Sequence, residues 1–410
     1  MVCGAHRKQK RKEENVKKIT QIVTHEFPHL DELLALFLVR EYGRHRFDVT
    51  GAKLATFTTG QWPKGQSASQ HPEDLFIGCG ESPFDEHGKQ GYTCSARLMA
   101  DYLAVGRERC FEQLLGAVQD EDRHGARGVK NHIAMVVKGM TFHSNVESEV
   151  VYEWLKPLFT SIVCFENESW EKITKDVEAL KLTDKKAEWG EKKSRFAKLE
   201  RPWLPLSLEN CSKVIAQMID EKFAKKEWLA KGLGVIDAKQ RHFEEALEVV
   251  SAGKTVEFES YRGHVKMLVV ESDNTQIGPA SRKMGFDMFI QRNSSGNVII
   301  MTDTRRNIWL NNVAALIRAE EAKSHGVDVS KLKLSAEGTL KAVPNWHLHE
   351  GVPGQLYNGT LTASAVEPTA IGLDRLVELV KVGLQPRKIS KPQKGRENMV
   401  AVKEAMPAGT

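Results

Sequence analysis

The sequence predicts an α/β protein: an N-terminal domain on a mostly parallel sheet, a helical connector, and a smaller α/β C-terminal domain. Three observations carry that expectation. Short β-branched runs alternate with helix-periodic segments over residues 19–165 and again over 255–380, the pattern of strands covered by helices on both faces. Between them, residues 166–254 are dense in Lys and Glu, with apolar residues at helical spacing. The length of 410 residues suits two or three domains of roughly 100–200 residues each.

In the first stretch, Ile19 to Thr24 is short and β-branched and reads as a buried strand. It runs into His25-Glu26-Phe27-Pro28-His29-Leu30-Asp31, after which Leu33, Leu34, Leu36, Phe37 and Val39 have helical spacing. Lys53 to Thr59 and Asp74 to Cys79 read as further strands, and helices are expected over 95–105, 108–118 and 145–163. In the connector, Trp170, Ile173, Val177 and Leu180 recur at helical spacing, Pro202 and Pro205 break the run, and helices resume over 208–223 and 238–250. In the third stretch, 256–258 and 264–270 read as paired strands, 280–284 as a short helix, and 287–291 and 297–301 as strands. Helices are expected over 307–321 and 373–380, with basic tails at 1–18 and 381–410.

Composition excludes several classes. Apolar residues make up 41% and charged residues 28%, enough for a packed core and too little charge for wholesale disorder. No apolar run approaches the roughly 20 residues of a membrane span, and the basic start lacks the apolar stretch of a secretory signal. The six cysteines include no C-x-x-C pair, so a disulfide framework is not expected and a reducing, cytoplasmic compartment is. The net charge of +5 comes from the ends: each basic tail carries +5, leaving −5 for residues 19–380. A broad basic groove for duplex DNA is therefore not indicated.

Chemistry concentrates in the first stretch, where eight of the fourteen histidines lie between His25 and His143. His25 falls at the carboxyl end of the first predicted strand, where open α/β sheets bind ligands. With His29 and Asp31 before the next helix, it forms an H-x-x-x-H-x-D triplet suited to Zn²⁺, Mn²⁺, Fe²⁺ or Co²⁺. The alternative is a helix capped by Asp31 with two surface histidines. Asp85-Glu86-His87 follows another strand, and Asp120-Glu121-Asp122-Arg123-His124 follows a helix. Each cluster ends a regular element and is rich in oxygen and nitrogen donors.

In this order the pieces resemble the DHH phosphoesterase superfamily, most of all its MYG-type branch of metal-dependent hydrolases with exonuclease activity. His25, His29 and Asp31 match the spacing of the superfamily's H-x-x-x-D-x-D; His29-Leu30-Asp31-Glu32 is similar to the branch's His-Cys-Asp-Glu; Phe84-Asp85-Glu86-His87 is similar in part to its Asp-His-His; and Gln119 to Asp122 is similar to its Asp-x-x-Asp-Asn-Gly. The resemblance covers residues 19–145. The chain departs from it at Gly78, where the superfamily closes a strand with aspartate, and at Glu86, where it has the first His. Cys79 and Glu81 lie beside Gly78 as alternative donors.

The resemblance implies one or two divalent ions, Mn²⁺ or Mg²⁺, hydrolysing a phosphoester of a nucleotide, oligonucleotide or short single-stranded nucleic acid. His25, His29, Asp31, Asp85, Glu86 and Asp122 are then the expected ligands, His87 a phosphate or orienting contact, and Arg123, His124 or Arg127 the groups that neutralise phosphoryl charge. A smaller C-terminal domain is expected to grip substrate. There, Ser281 and Arg282 after Gly278-Pro279 read as a helix opening and an anion site, and Arg292 and Asn293 lie in a polar loop. His347 and His349 read either as one face of a hairpin closed by Asn358-Gly359 or as phosphate or base contacts. The Gly-Gly-Gly-His signature of the DHH-associated domain is absent. Two other functions compete: a non-catalytic nucleotide- or RNA-binding descendant of the same fold, and a metalloenzyme of another class such as an amidohydrolase. G-x-S-x-G and G-x-x-x-x-G-K-[ST] are absent, which speaks against a serine hydrolase and a P-loop ATPase.

Overall fold

The computed structural model describes residues 16–57, 68–86, 92–126, 128–143, 146–349, 354–359 and 366–386. Both tails largely lie outside this set. The protein is mixed α/β and divides into two compact units, at 1–239 and 240–410.

The first unit opens with β1 (Lys17–Lys18), β2 (Gln21–His25), α1 (Leu30–Tyr42), β3 (Phe47–Asp48), β4 (Lys53–Phe57) and β5 (Asp74–Phe76). Helices follow: α2 (Ser95–Tyr102), α3 (Arg109–His124), α4 (Ile133–Lys138), α5 (Ser148–Glu178), α6 (Lys185–Ala197), α7 (Leu208–Met218) and α8 (Ala230–Ala252), the last containing the boundary. Strands β4, β2 and β5 form a parallel sheet in that order, with Val23 opposite both Ala55 and Phe76, and β1 pairs in parallel with β3. This is the parallel sheet that the sequence predicts. Helix α1 is buried from Leu30 to Val39, so the chain leaving β2 enters the core immediately. That burial fixes where the first turn of α1 sits relative to His25.

The helical stretch after residue 166 packs into the first unit. Trp203, Leu206, Leu208, Cys211, Val214, Ile215, Ala224 and Trp228 belong to the same apolar core as β2 and α1. Polar pairs anchor it. Trp154 and Trp228 stack with centroids 4.7 Å apart, and each indole N–H donates to the other's backbone carbonyl. Glu166 and Arg201 form a buried fork, Nε to Oε1 at 2.8 Å and Nη2 to Oε2 at 2.9 Å, and Trp203 Nε1 donates to the same carboxylate. The Lys/Glu pattern of this stretch marks the solvent side of helices whose other side is core.

The second unit contains β6 (Lys254–Ser260), β7 (Gly263–Glu271), α9 (Ile277–Lys283), β8 (Met288–Arg292), β9 (Val298–Thr302), α10 (Asn311–Ser324), β10 (Gly338–Leu340), β11 (Val343–Leu348), β12 (Gln355–Asn358) and α11 (Leu373–Leu384). Its seven strands form one sheet in the order β10-β11-β12-β9-β8-β7-β6, antiparallel except for the β7–β8 pair. One core joins the sheet to α10 and α11; a second includes residues of α8 and α9. β11 and β12 pair as an antiparallel hairpin, with His347 opposite Tyr357, and Asn358-Gly359 ends its second strand rather than forming its turn. Asn358 ends β12, paired with Val298, and its side-chain amide donates to the carbonyls of Asn345 and Glu367. Among the described residues, no helix is long and apolar enough to cross a membrane.

Removing one partner of a buried ion pair leaves the other uncompensated, at a cost of about 3–5 kcal/mol. Glu166→Ala is expected to lower the stability of the full chain by about 3 kcal/mol in urea unfolding; an unchanged midpoint would show that Arg201 does not depend on this carboxylate.

Candidate metal centre

The turn after β2 puts acidic side chains at the carboxyl end of the sheet. Thr24 and His25 close the strand, His29 stands as the extended N-cap of α1, and Asp31 and Glu32 fall in the helix's first turn. Carboxylates are favoured there by the exposed helix N–H groups. Both are nearly inaccessible, at 2% and 3% exposure. Glu32 accepts three short bonds: from the Thr24 hydroxyl at 2.7 Å, from His25 Nδ1 at 2.8 Å and from the His29 backbone N–H at 2.7 Å. Asp31 does not cap its own helix. It accepts the backbone N–H of Ser95 at 3.0 Å, which lies at the start of α2 and 64 residues away.

Further acids meet this pair. The loop after β5 brings Asp85 inside, where it accepts from the Glu81 backbone N–H at 2.9 Å. Glu86 accepts from the Ser95 hydroxyl at 2.6 Å. Asp122, on α3, accepts from the Tyr92 hydroxyl at 2.7 Å. His29, Asp31 and Glu32 each offer a donor atom within 4.8 Å of the others'. A second trio with that property, His71, Glu73 and Asp74, lies at the amino end of β5, away from the strand termini that gather the rest.

Electrostatics ties these groups together. Burial pushes Asp31 well above the usual carboxylate range, and the charges of Glu32, Asp122 and Glu86 push it further. Burial also acts against ionised Glu32, but its bonds to His25, His29 and Thr24 outweigh that and hold it below its ordinary value. His25 is raised by the hydrogen bond to Glu32 against the opposing effect of burial, and the charges of Glu32, Glu86 and Asp85 add to the rise. Burial, then Glu32 and Asp85, lifts the Cys79 thiol to about 12, and burial, then Asp31, lifts Cys94 to about 12. Both thiols are neutral near pH 7, so the ionised donors are carboxylates. Burial, with the neighbouring Asp122 charge, raises Glu121 to about 7.

Of the sequence-predicted residues, the structure brings His29 and Asp31 within coordination reach of one another, with Glu32; His25 joins them through its bond to Glu32, and Asp122 and Glu86 bear on Asp31 through their charge. His87 and Arg127 lie outside the described residues. The Asp120–His124 segment is the end of α3, not a loop after it. Helical spacing there pairs His124 Nδ1 with Asp120 at 3.0 Å on the exposed face, and Arg123 stacks 4.9 Å over the Tyr92 ring. Glu81 is exposed and takes part through its backbone.

The second unit's expected ligand contacts are largely structural. Helix α9 begins at Ile277, so Ser281 lies inside it and its hydroxyl donates back to the Gly278 carbonyl at 2.9 Å, leaving no helix-opening anion site. Arg282 lies near its C-terminal end. Arg292 donates to the Ile371 carbonyl at 2.6 Å. Asn293 Oδ1 accepts from the Ser295 hydroxyl and the Asn297 N–H, which shapes the β8–β9 turn. His347 Nδ1 lies 2.9 Å from the Thr339 hydroxyl across β10–β11, its ring 6.3 Å from that of His349.

Sequence reasoning missed Glu32 as the anchor of the cluster, although an acid three residues into a helix after a polar N-cap is a capping-box signal. It also missed Tyr92 and Ser95, which nothing local marks. No family model matches the chain, and no curated protein matches it. Among solved structures, the crystal structure of an uncharacterized protein from Helicobacter pylori G27 matches at 8% identity, over 88% of this chain and 99% of that one, with a TM-score of 0.25.

The acids give a pH signature. Asp31 and Glu121 hold their protons more tightly folded than unfolded, so stability falls as pH rises through that interval, from 4.5 to about 7 for Glu121. His25 acts in the same sense: its pairing contributes below the ordinary value of 6.5 and is lost above the raised one. The melting temperature of chelator-treated protein should therefore drop as pH rises from about 5 to about 7. Asp31→Asn should flatten the slope, and an equally steep slope in that variant would count against the cluster's shared charge.

Proposed function

We propose that this cluster is the divalent-metal centre of a phosphoester hydrolase acting on nucleotides, oligonucleotides or short single-stranded nucleic acid. The observation that carries the reading is the trio His29, Asp31 and Glu32, whose donor atoms lie within 4.8 Å of one another after the carboxyl end of β2, with the charges of Asp122 and Glu86 also bearing on Asp31. Buried like charges repel strongly at low dielectric, and a divalent cation relieves that repulsion. The donor set, carboxylate oxygen and imidazole with neutral thiols nearby, suits Mn²⁺ or Mg²⁺ more than a thiolate-seeking ion. The order of motifs shared with the DHH phosphoesterases supports the same reading.

His25, His29, Asp31, Asp85, Glu86 and Asp122 would hold one or two ions. Such ions supply an activated water and electrostatic clamping of the attacking and leaving oxygens. The chain's own contribution is rigidity. Ser95 fixes Asp31 and Glu86, Tyr92 fixes Asp122, and the Glu81 N–H fixes Asp85. Arg123, exposed beside Tyr92, is placed to meet an incoming phosphate at the rim.

The test is elemental analysis of purified protein, coupled to a panel of phosphodiesters and pyrophosphates. Mn²⁺-dependent turnover that EDTA abolishes is expected, and Asp31→Ala should reduce it at least about 100-fold, the scale of losing transition-state charge stabilisation. Nucleotide binding with no metal uptake and no turnover would replace the hydrolase with the non-catalytic reading.

A further inference from the structure

The carboxyl end of β5 is bare. Gly78 follows the strand with φ of +71°, and a Cβ there would stand 2.3 Å from Glu32 Oε1 and 2.8 Å from its Cδ. No side chain fits that space while Glu32 occupies it. Helix α1 thus delivers a carboxylate into the volume that a side chain after β5 would otherwise fill. Its donors leave little freedom: Oε1 takes the Thr24 hydroxyl and His25 Nδ1, and Oε2 takes the His29 N–H. An ionised carboxylate only accepts, so Nδ1 of His25 carries the proton in this bond. The lone pair of the neutral ring then resides on Nε2.

We propose that Glu32 is the positioning residue of the centre: it reaches from α1 into the gap kept open by Gly78, grips His25 through Nδ1, and presents Nε2 as the coordinating nitrogen. The inference rests on the metal reading above and adds an interdependence to it. Glycine at 78 and glutamate at 32 form one device, in which the strand end gives up its side chain so that the helix can supply the orienting group. Carboxylate–imidazole pairing of this kind fixes the tautomer and raises the ring's basicity toward a metal. It also accounts for Glu32 being buried with both carboxylate oxygens engaged by hydrogen bonds.

The experiment uses the full chain with Mn²⁺ as the probe. Titration calorimetry would compare wild type, Glu32→Gln, Glu32→Asp, Gly78→Ala and the double variant Glu32→Asp/Gly78→Ala. Long-range ¹⁵N–¹H spectra of the imidazoles would report the His25 tautomer in metal-free protein. Wild type should show His25 protonated on Nδ1. Glu32→Gln should lower Mn²⁺ affinity roughly 10–100-fold and shift His25 toward the Nε2–H form, with far-ultraviolet circular dichroism unchanged. Gly78→Ala should lower affinity comparably, because the methyl displaces the carboxylate. The double variant should lose less than the sum of its parts, since the shorter acid withdraws from the methyl. Wild-type Mn²⁺ uptake with an unaltered affinity in Glu32→Gln would overturn the proposal, as would an Nε2-protonated His25 in wild type or strictly additive losses. No uptake by wild type at all would overturn the metal reading, and this one with it.

Discussion

Keeping several carboxylates close together and away from water is the constraint around which the first unit is built. Ionised acids at that depth repel one another and have lost hydration, and the upward shift of the Asp31 carboxyl registers both effects. What offsets them is backbone and neighbouring polarity: the first turn of α1, the amide at the start of α2, and the imidazole of His25. Parallel strands end on the same side, so β2 and β5 deliver their terminal loops to one place. The burial of α1 then makes that place rigid.

The second unit uses its polar residues differently. Arg318, fully buried, donates to the carbonyls of Leu334, Ala336, Gly338 and Trp346, and burial lowers it to about 10. Glu321, one turn further along α10, accepts from Trp346 Nε1, the Thr369 hydroxyl and the Ala370 N–H. These two side chains knit irregular chain onto the helix. Asn293 and Asn358 do similar work at strand ends. A polar residue in a loop between strands there is, more often than not, closing a backbone gap.

That difference explains what was legible in the sequence. Strand and helix identity in the first 165 residues followed from β-branched runs and helical spacing, and the grouping of His29 with Asp31 followed from their places before and within the first turn of a helix. Helix limits did not. α3 continues to His124 because nothing in Gln119–His124 breaks a helix until Gly125, so a cluster expected in a loop became a helix face. The helical connector looked separate because only its charged side is conspicuous in sequence, while Trp203 and Trp228 carry it into the core. Ser281 misled for a related reason. Gly278-Pro279 reads as a stop before a helix, yet proline is tolerated in a first turn, where its missing N–H has no partner to lose. Glu32 escaped because its role depends on Gly78, forty-six positions away, and only the fold brings an absent side chain and a present one together.

The bond from Ser95 to Asp31 carries one more implication. With Oδ2 holding that amide, Asp31 is tied to the first turn of α2. That makes α2 a lever: any shift of Asp31 pulls on the helix end that Ser95 begins.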